Sequence, residues 1–191
     1  MTTAEGARAR DDRRDEGRAK ARVFWPLVVV LLVADWTTKR LAESHLVPYV
    51  PVSVVGDVAR LTLAYNRGAA MGMHAGDASR VVFSLLAVAA VFVLARMYRD
   101  APRDDRAMGA ALGLVIGGAI GNLADRVRAD RGVVDFIDIG VGRVRFWTFN
   151  VADMGVSIGA LLLAWLLWRR ERSVPPSADA PALPPAGDPT A

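Results

Sequence analysis

Between Ala107 and Ala124 this chain runs through an apolar segment without a single charged residue. A bilayer core of ~30 Å needs about 20 helical residues, so this run is close to a complete membrane span. Three more accompany it. The first is Val23 to Ala34, continuing past Asp35 to Thr38; the second is Val81 to Ala95. The fourth begins near Phe146 and reaches Trp168, with Asp153 its only charge. Four such segments in 191 residues would overfill a soluble core, whereas a bilayer accepts them. Trp25, Trp36, Trp165 and Trp168 sit near segment ends, where interfacial aromatics belong. Pro26 suits the first turn of a helix. Gly113, Gly117 and Gly121 recur every four residues, a spacing that lets helices pack closely.

Four spans put both termini on one side. Arginine-rich stretches at 8–22, 96–106 and 169–172 then fall together, and the positive-inside rule makes that side cytoplasmic. Arg126, Arg128 and Arg131 on the other side moderate the bias. An alternative takes 23–34 as a cleaved signal peptide; its length fits, but Leu32-Val33-Ala34 is a poor cleavage site. The organisation expected is a disordered cytoplasmic arm over 1–22, a four-span domain over 23–168, and a basic then Pro/Ala-rich disordered tail over 169–191.

Composition narrows the chemistry. The chain has no cysteine, which excludes disulfides, a thiol nucleophile and cysteine-based metal sites. His45 and His74 are too few and too unpatterned for a histidine metal site, and no cofactor is called for. The net charge of +4 could point to nucleic acid, but the charge lies at the ends and between apolar runs, so no nucleic-acid partner is expected. Connections 40–80 and 125–148 lie on the outer side. The first carries two strand-like stretches, Val50–Val55 and Arg60–Ala64. The second reads as a hairpin, Val133–Ile139 and Arg143–Trp147 joined by a turn over Gly140-Val-Gly142. The fold class is thus mainly α: a polytopic four-transmembrane-helix bundle with a small extracytoplasmic β-sheet.

Polar residues at membrane depth are expensive and usually functional or paired. Asp35 lies at the end of the first span and Asp153 opens the fourth; Asn122, Asp125 and Arg126 cluster where the third ends. Asn66 and Arg67 precede Gly68-Ala-Ala-Met-Gly72. In the four-span topology all converge on one depth, near the outer leaflet. Asp35 and Lys39 form an i,i+4 pair that a purely structural salt bridge would equally explain. Asp125 and Arg126 could simply be solvated at a helix end. A serine–lysine peptidase would have to use Lys39 with Ser44, although Asp35 is the nearer partner of Lys39. A proton-coupled transporter would need a polar path to the inner side, and the second span offers only Ser84. A packing subunit explains the glycines but not the polar clusters.

In order along the chain stand Asp35-Trp-Thr-Thr-Lys39, Asn66-Arg-Gly-Ala-Ala70, Gly121-Asn-Leu-Ala-Asp-Arg126, Val133-Val-Asp-Phe136 and Phe149-Asn-Val-Ala-Asp153. These blocks, spread over roughly residues 23–168, resemble the signatures of lipoprotein signal peptidase, or signal peptidase II. The resemblance implies an intramembrane aspartyl endopeptidase of the bacterial cell membrane. Such an enzyme cuts diacylglyceryl-modified prolipoproteins just before the lipidated cysteine. It implies Asp135 and Asp153 as the catalytic dyad, Asn66, Arg67, Asn122, Arg126 and Asn150 as substrate-orienting residues, and Asp35, Lys39 and Asp125 in support. Spacing alone would also let Asp125 replace Asp135. Implied partners are lipidated prolipoproteins and membrane lipid, for a monomer whose active site lies near the extracytoplasmic face. Two close carboxylates fit a cysteine-free peptidase, because they cannot both ionise readily and so share a proton.

Overall fold

A computed structural model describes residues 18–66, 68 and 78–172. The elements in order are helix α1 (Ala19–His45), strands β1 (Val52–Val55) and β2 (Ala59–Asn66), helices α2 (Ser79–Asp100) and α3 (Arg106–Arg128), strands β3 (Val133–Val141) and β4 (Val144–Arg145), and helix α4 (Val151–Arg172). All four helices are long and apolar enough to cross a membrane. The molecule is a polytopic membrane protein with a small sheet at one end of its bundle.

The helices outrun the apolar segments because polar ends are fastened. At the end far from the sheet, Lys20 of α1 donates its backbone N–H to Arg103 O at 2.9 Å and its ammonium to the carbonyls of Tyr98 and Ala101. Helix α1 therefore begins ahead of Val23, and Pro26 lies inside it rather than in its first turn. Asp105 caps α3 by accepting from Met108 N at 2.9 Å. The fourth helix starts later than its apolar run. Phe149 is taken by the sheet instead: its carbonyl accepts from Phe136 N and Ile137 N, and its N–H donates to Ile137 O.

Helix α3 is the hub. Its small residues face two neighbours. A Cβ on Gly117 would stand 3.3 Å from Val28 Cα of α1, while one on Gly118 would run into Ala152 O and Val156 of α4. Phe24, Val28, Met108, Leu112 and Ile116 form a core between α1 and α3. Helix α2 joins it through its second half, by Val91, Leu94, Met97 and Tyr98. Its remaining apolar side chains, such as Leu85 and Phe92, are exposed as a lipid-facing surface is.

The sheet is antiparallel throughout, ordered β1-β2-β3-β4. Its β3–β4 turn falls at Gly142-Arg143, one step beyond the Gly140–Gly142 turn expected, since Gly140 pairs with Arg145. Gly142 supplies the left-handed φ of 56° that a two-residue hairpin turn needs. A second core of Ala42, Leu63, Val134 and Phe136 fastens the sheet to the end of α1. The interval between the two cores holds the polar residues.

Candidate active site

The pairing of β2 with β3 sets Ala64 opposite Asp135 and Asn66 opposite Val133. Alternation then puts Ala64, Asn66 and Asp135 on one face and Tyr65 on the other. Asp153 reaches the same place from the first turn of α4. Its position is local chemistry: Asn150 Oδ1 accepts from Asp153 N at 3.0 Å, while Asp153 Oδ2 accepts from Asn150 N at 3.1 Å. This reciprocal pair is a capping box, and the helix N-terminus it closes favours a negative charge.

Three asparagines surround the two carboxylates, and an obligate donor orients each amide. Lys39 Nζ can only donate, so the Asn122 atom 3.0 Å from it is the oxygen. The Asn122 amide nitrogen is thereby turned to Asp153 Oδ1, at 2.7 Å. The backbone N–H of Asp153 fixes the oxygen of Asn150 in the same way. Asn150 Nδ2 donates to Asp135 Oδ1 at 2.7 Å, with Asn122 Oδ1 at 3.0 Å and Val134 O at 3.2 Å competing for its two hydrogens. Gly68 N holds the Asn66 oxygen at 3.0 Å, leaving Asn66 Nδ2 to donate to Asp135 Oδ2 at 3.2 Å. Asn150 therefore bonds both carboxylates at once, Asp135 through its side chain and Asp153 through its backbone N–H. It is fully buried.

Asp135 is 3% exposed. Burial and then the neighbouring charge of Asp153 push its carboxyl up to about 7, against the bonds from Asn66 and Asn150 and the charge of Lys39. Arg126 sends its terminal nitrogens to Gly68 O at 3.1 Å and Asn122 O at 3.3 Å. Its Nε is buried and has no partner among the described residues.

Behind the acids lies a buried ionic cluster. Lys39 contacts Asp35 at 2.7 Å and Asp125 at 2.8 Å. Asp35 Oδ1 also accepts from Ala152 N at 2.9 Å, so it satisfies an orphan donor in the first turn of α4. Asp125 Oδ2 lies 3.3 Å from Val134 N, from which it accepts. Removing one partner from such a cluster leaves an uncompensated charge, a cost of ~3–5 kcal/mol.

The structure brings Asp35, Lys39, Asn66, Asn122, Asp125, Arg126, Asp135, Asn150 and Asp153 into one network. Arg67 and His74 lie outside the described residues. Asp125 is engaged with Lys39 and strand β3, while Asp135 shares Asn150 with Asp153. Lys39 is held by two carboxylates, and Ser44 Oγ donates to Leu41 O at 3.0 Å, so a serine–lysine pair is not assembled. Sequence reasoning passed over Asp138, which is buried and bound to Arg145 Nε at 2.6 Å and Thr62 Oγ1 at 3.1 Å. Its only sequence signal was a second acid in Val133-Val-Asp-Phe-Ile-Asp138.

Residues 27–169 match the family model described as Signal peptidase (SPase) II. The chain is 39% identical over 152 residues to a lipoprotein signal peptidase of Hydrogenovibrio crunogenus, covering 76% of this chain and 87% of that protein. It is 39% identical over 156 residues to a lipoprotein signal peptidase of Pseudomonas syringae pv. tomato, covering 80% and 90%. A bacterial membrane enzyme solved by the in meso method at 2.3 Å resolution superposes with a TM-score of 0.68 at 28% identity, over 76% of this chain and 87% of that one.

Proposed function

Since the chain belongs to the signal peptidase II family, we propose that it is an aspartyl endopeptidase whose dyad is Asp135 and Asp153. The family's membership makes it a membrane peptidase that removes signal peptides from prolipoproteins. The finer reading is that it acts on diacylglyceryl-modified precursors and cuts just before the lipidated cysteine. One observation carries the dyad: Asn150 ties the two carboxylates together, at 2.7 Å to Asp135 and 3.1 Å to Asp153.

The roles follow from the surroundings. Asp153 receives bonds from Asn150 N and Asn122 Nδ2 in the first turn of α4, which fix the orientation of its carboxyl group. Asp135, buried and pushed up to about 7, holds its proton below that pH and in about half of the molecules at pH 7. Asp153 then takes a proton from an attacking water while Asp135 donates one to the scissile carbonyl oxygen. No covalent intermediate is required. Arg126 Nε is a donor for the developing oxyanion, and Asn66 and Arg67 hold the extended substrate. Lys39, Asp35 and Asp125 act at one remove, by fixing the amide of Asn122 and the start of α4. Asp125 is the weaker candidate for the dyad because its carboxylate is spent on Lys39 and Val134 N. The arginine distribution favours cytoplasmic termini and an active site near the extracytoplasmic face.

The test is cleavage of a lipidated precursor peptide by purified wild type and the Asp135→Asn, Asp153→Asn and Asp125→Asn variants. The first two should lose roughly 10²–10⁴-fold or more in kcat while remaining in the membrane fraction. Full activity in either would remove that residue from the dyad.

A further inference from the structure

Helix α1 carries two polar faces at its sheet end. Asp35, Lys39 and Ala42 point into the protein. On the opposite side Trp36, Thr37, Arg40, Leu41 and Ser44 line an open groove of about 540 Å³, completed by Tyr65 and Arg131. Tyr65 projects from the face of β2 opposite Asn66, so the sheet separates this groove from the two acids.

The groove is cationic. Glu43 is its one acid, and three guanidinium groups gather on it: Arg40 at 2.8 Å, Arg131 at 2.9 Å and Arg128 at 3.9 Å. Arg128 is also drawn to Asp125, at 3.7 Å, but Asp125 is already engaged by Lys39. Arg131 is further positioned by Tyr65, whose hydroxyl accepts at 3.1 Å and whose ring lies beneath the guanidinium at 4.7 Å. Arg40 Nε is buried without a partner among the described residues. Below the groove, on the same side of α1, Val29, Val33 and Trp36 form an exposed apolar strip about two helical turns long.

We propose that this groove binds a membrane phospholipid, its phosphodiester held by Arg40 and Arg131 and its acyl chains laid along Val29, Val33 and Trp36. The charge excess selects an anion, the planar donors of arginine suit phosphate oxygens, and the strip beneath them suits hydrocarbon rather than water. An ion free in solution would have no use for the strip. The site is separate from the peptidase chemistry, so its test does not depend on cleavage.

The test is native mass spectrometry of the full-length protein released from detergent and titrated with dioleoylphosphatidylglycerol. Parallel titrations use dioleoylglycerol, which lacks the phosphate, and inorganic phosphate. Wild type should retain phosphatidylglycerol, retain the diacylglycerol much less, and keep its lipid in millimolar inorganic phosphate. Arg40→Gln with Arg131→Gln should weaken phosphatidylglycerol about tenfold or more, whereas Arg143→Gln in the hairpin turn should leave it unchanged. If the double variant does not fold, Arg131→Gln alone carries the same expectation at several-fold. Equal affinity in wild type and the arginine variants, equal retention of diacylglycerol, or displacement by inorganic phosphate would each overturn the proposal.

Discussion

Asparagine rather than aspartate or glutamine is what positions 66, 122 and 150 need. Each offers one oxygen to an obligate donor and one nitrogen to a carboxylate, over a short and stiff side chain. Asn150 adds a second duty as the cap of α4, and the two duties can be separated. Serine caps helices as well as asparagine but has no amide to offer Asp135. Asn150→Ser should therefore keep the cap and lose only the ~1–3 kcal/mol of the missing amide donor, while its kcat falls by roughly 10²-fold, checked by thermal denaturation beside initial rates. The pH profile should move as well. Asp135 must hold its proton to donate it, and its carboxyl is pushed up to about 7, so wild-type kcat/KM should fall as the pH rises through that value. The Asn150 bond favours the charged form of Asp135, so its loss should carry the falling limb to higher pH. A limb that stays in place in Asn150→Ser would mean that Asp135 is not the proton donor. At this scale the sequence exposed the residue types, because acids and amides at span ends are conspicuous. It did not distinguish Asp125 from Asp135, since that choice depends on which carboxylate Lys39 captures.

The elements owe their positions to close approach. Gly118 and Gly121 of α3 lie against α4 and the Asp35 carboxylate, and a Cβ at Gly121 would sit 2.8 Å from Asp35 Oδ2. The resistance differs at the two sites. At Gly118 the obstacle is the backbone oxygen of Ala152, which cannot turn aside; at Gly121 it is the end of a side chain, which can, but at the expense of its bond to Ala152 N. Gly118→Ala should thus destabilise by ~1–3 kcal/mol. Gly121→Ala should cost less stability and yet lower activity, because the start of α4 carries Asp153. Melting temperature in detergent together with kcat for both variants checks this; equal losses of both quantities would show that Asp35 does not transmit the change. The regular four-residue glycine spacing was legible as close packing. That Gly118, outside the spacing, bears the tightest contact was not, because a repeat does not reveal how many neighbours a helix has. Phe146 and Trp147 fit both the hairpin strand and the start of the fourth span in sequence, since apolar residues look alike whether they meet lipid or pair with a strand.

For the molecule as a whole, the polar network occupies one end of a bundle whose outer surfaces are apolar. Helix α2 joins the apolar core through its second half and leaves Leu85, Leu86 and Phe92 exposed. A substrate that already carries acyl chains enters such surroundings at little desolvation expense, each methylene contributing ~0.8 kcal/mol to its membrane partitioning. An unlipidated precursor should show kcat/KM lower by about tenfold or more in parallel initial-rate assays; equal values for the two forms would contradict the role assigned to the lipid. Four spans, with polar residues gathered toward one end of them, were legible in the sequence alone, because span length answers to bilayer thickness and the cost of a charge in hydrocarbon answers to residue type. Only the tertiary structure decided how each helix is rotated about its axis. That rotation turned Lys39 inward to orient Asn122, turned Arg40 outward to a groove of its own, and set Asp135 rather than Asp125 beside Asn150. These are contacts between residues tens of positions apart, and local pattern carries no record of them.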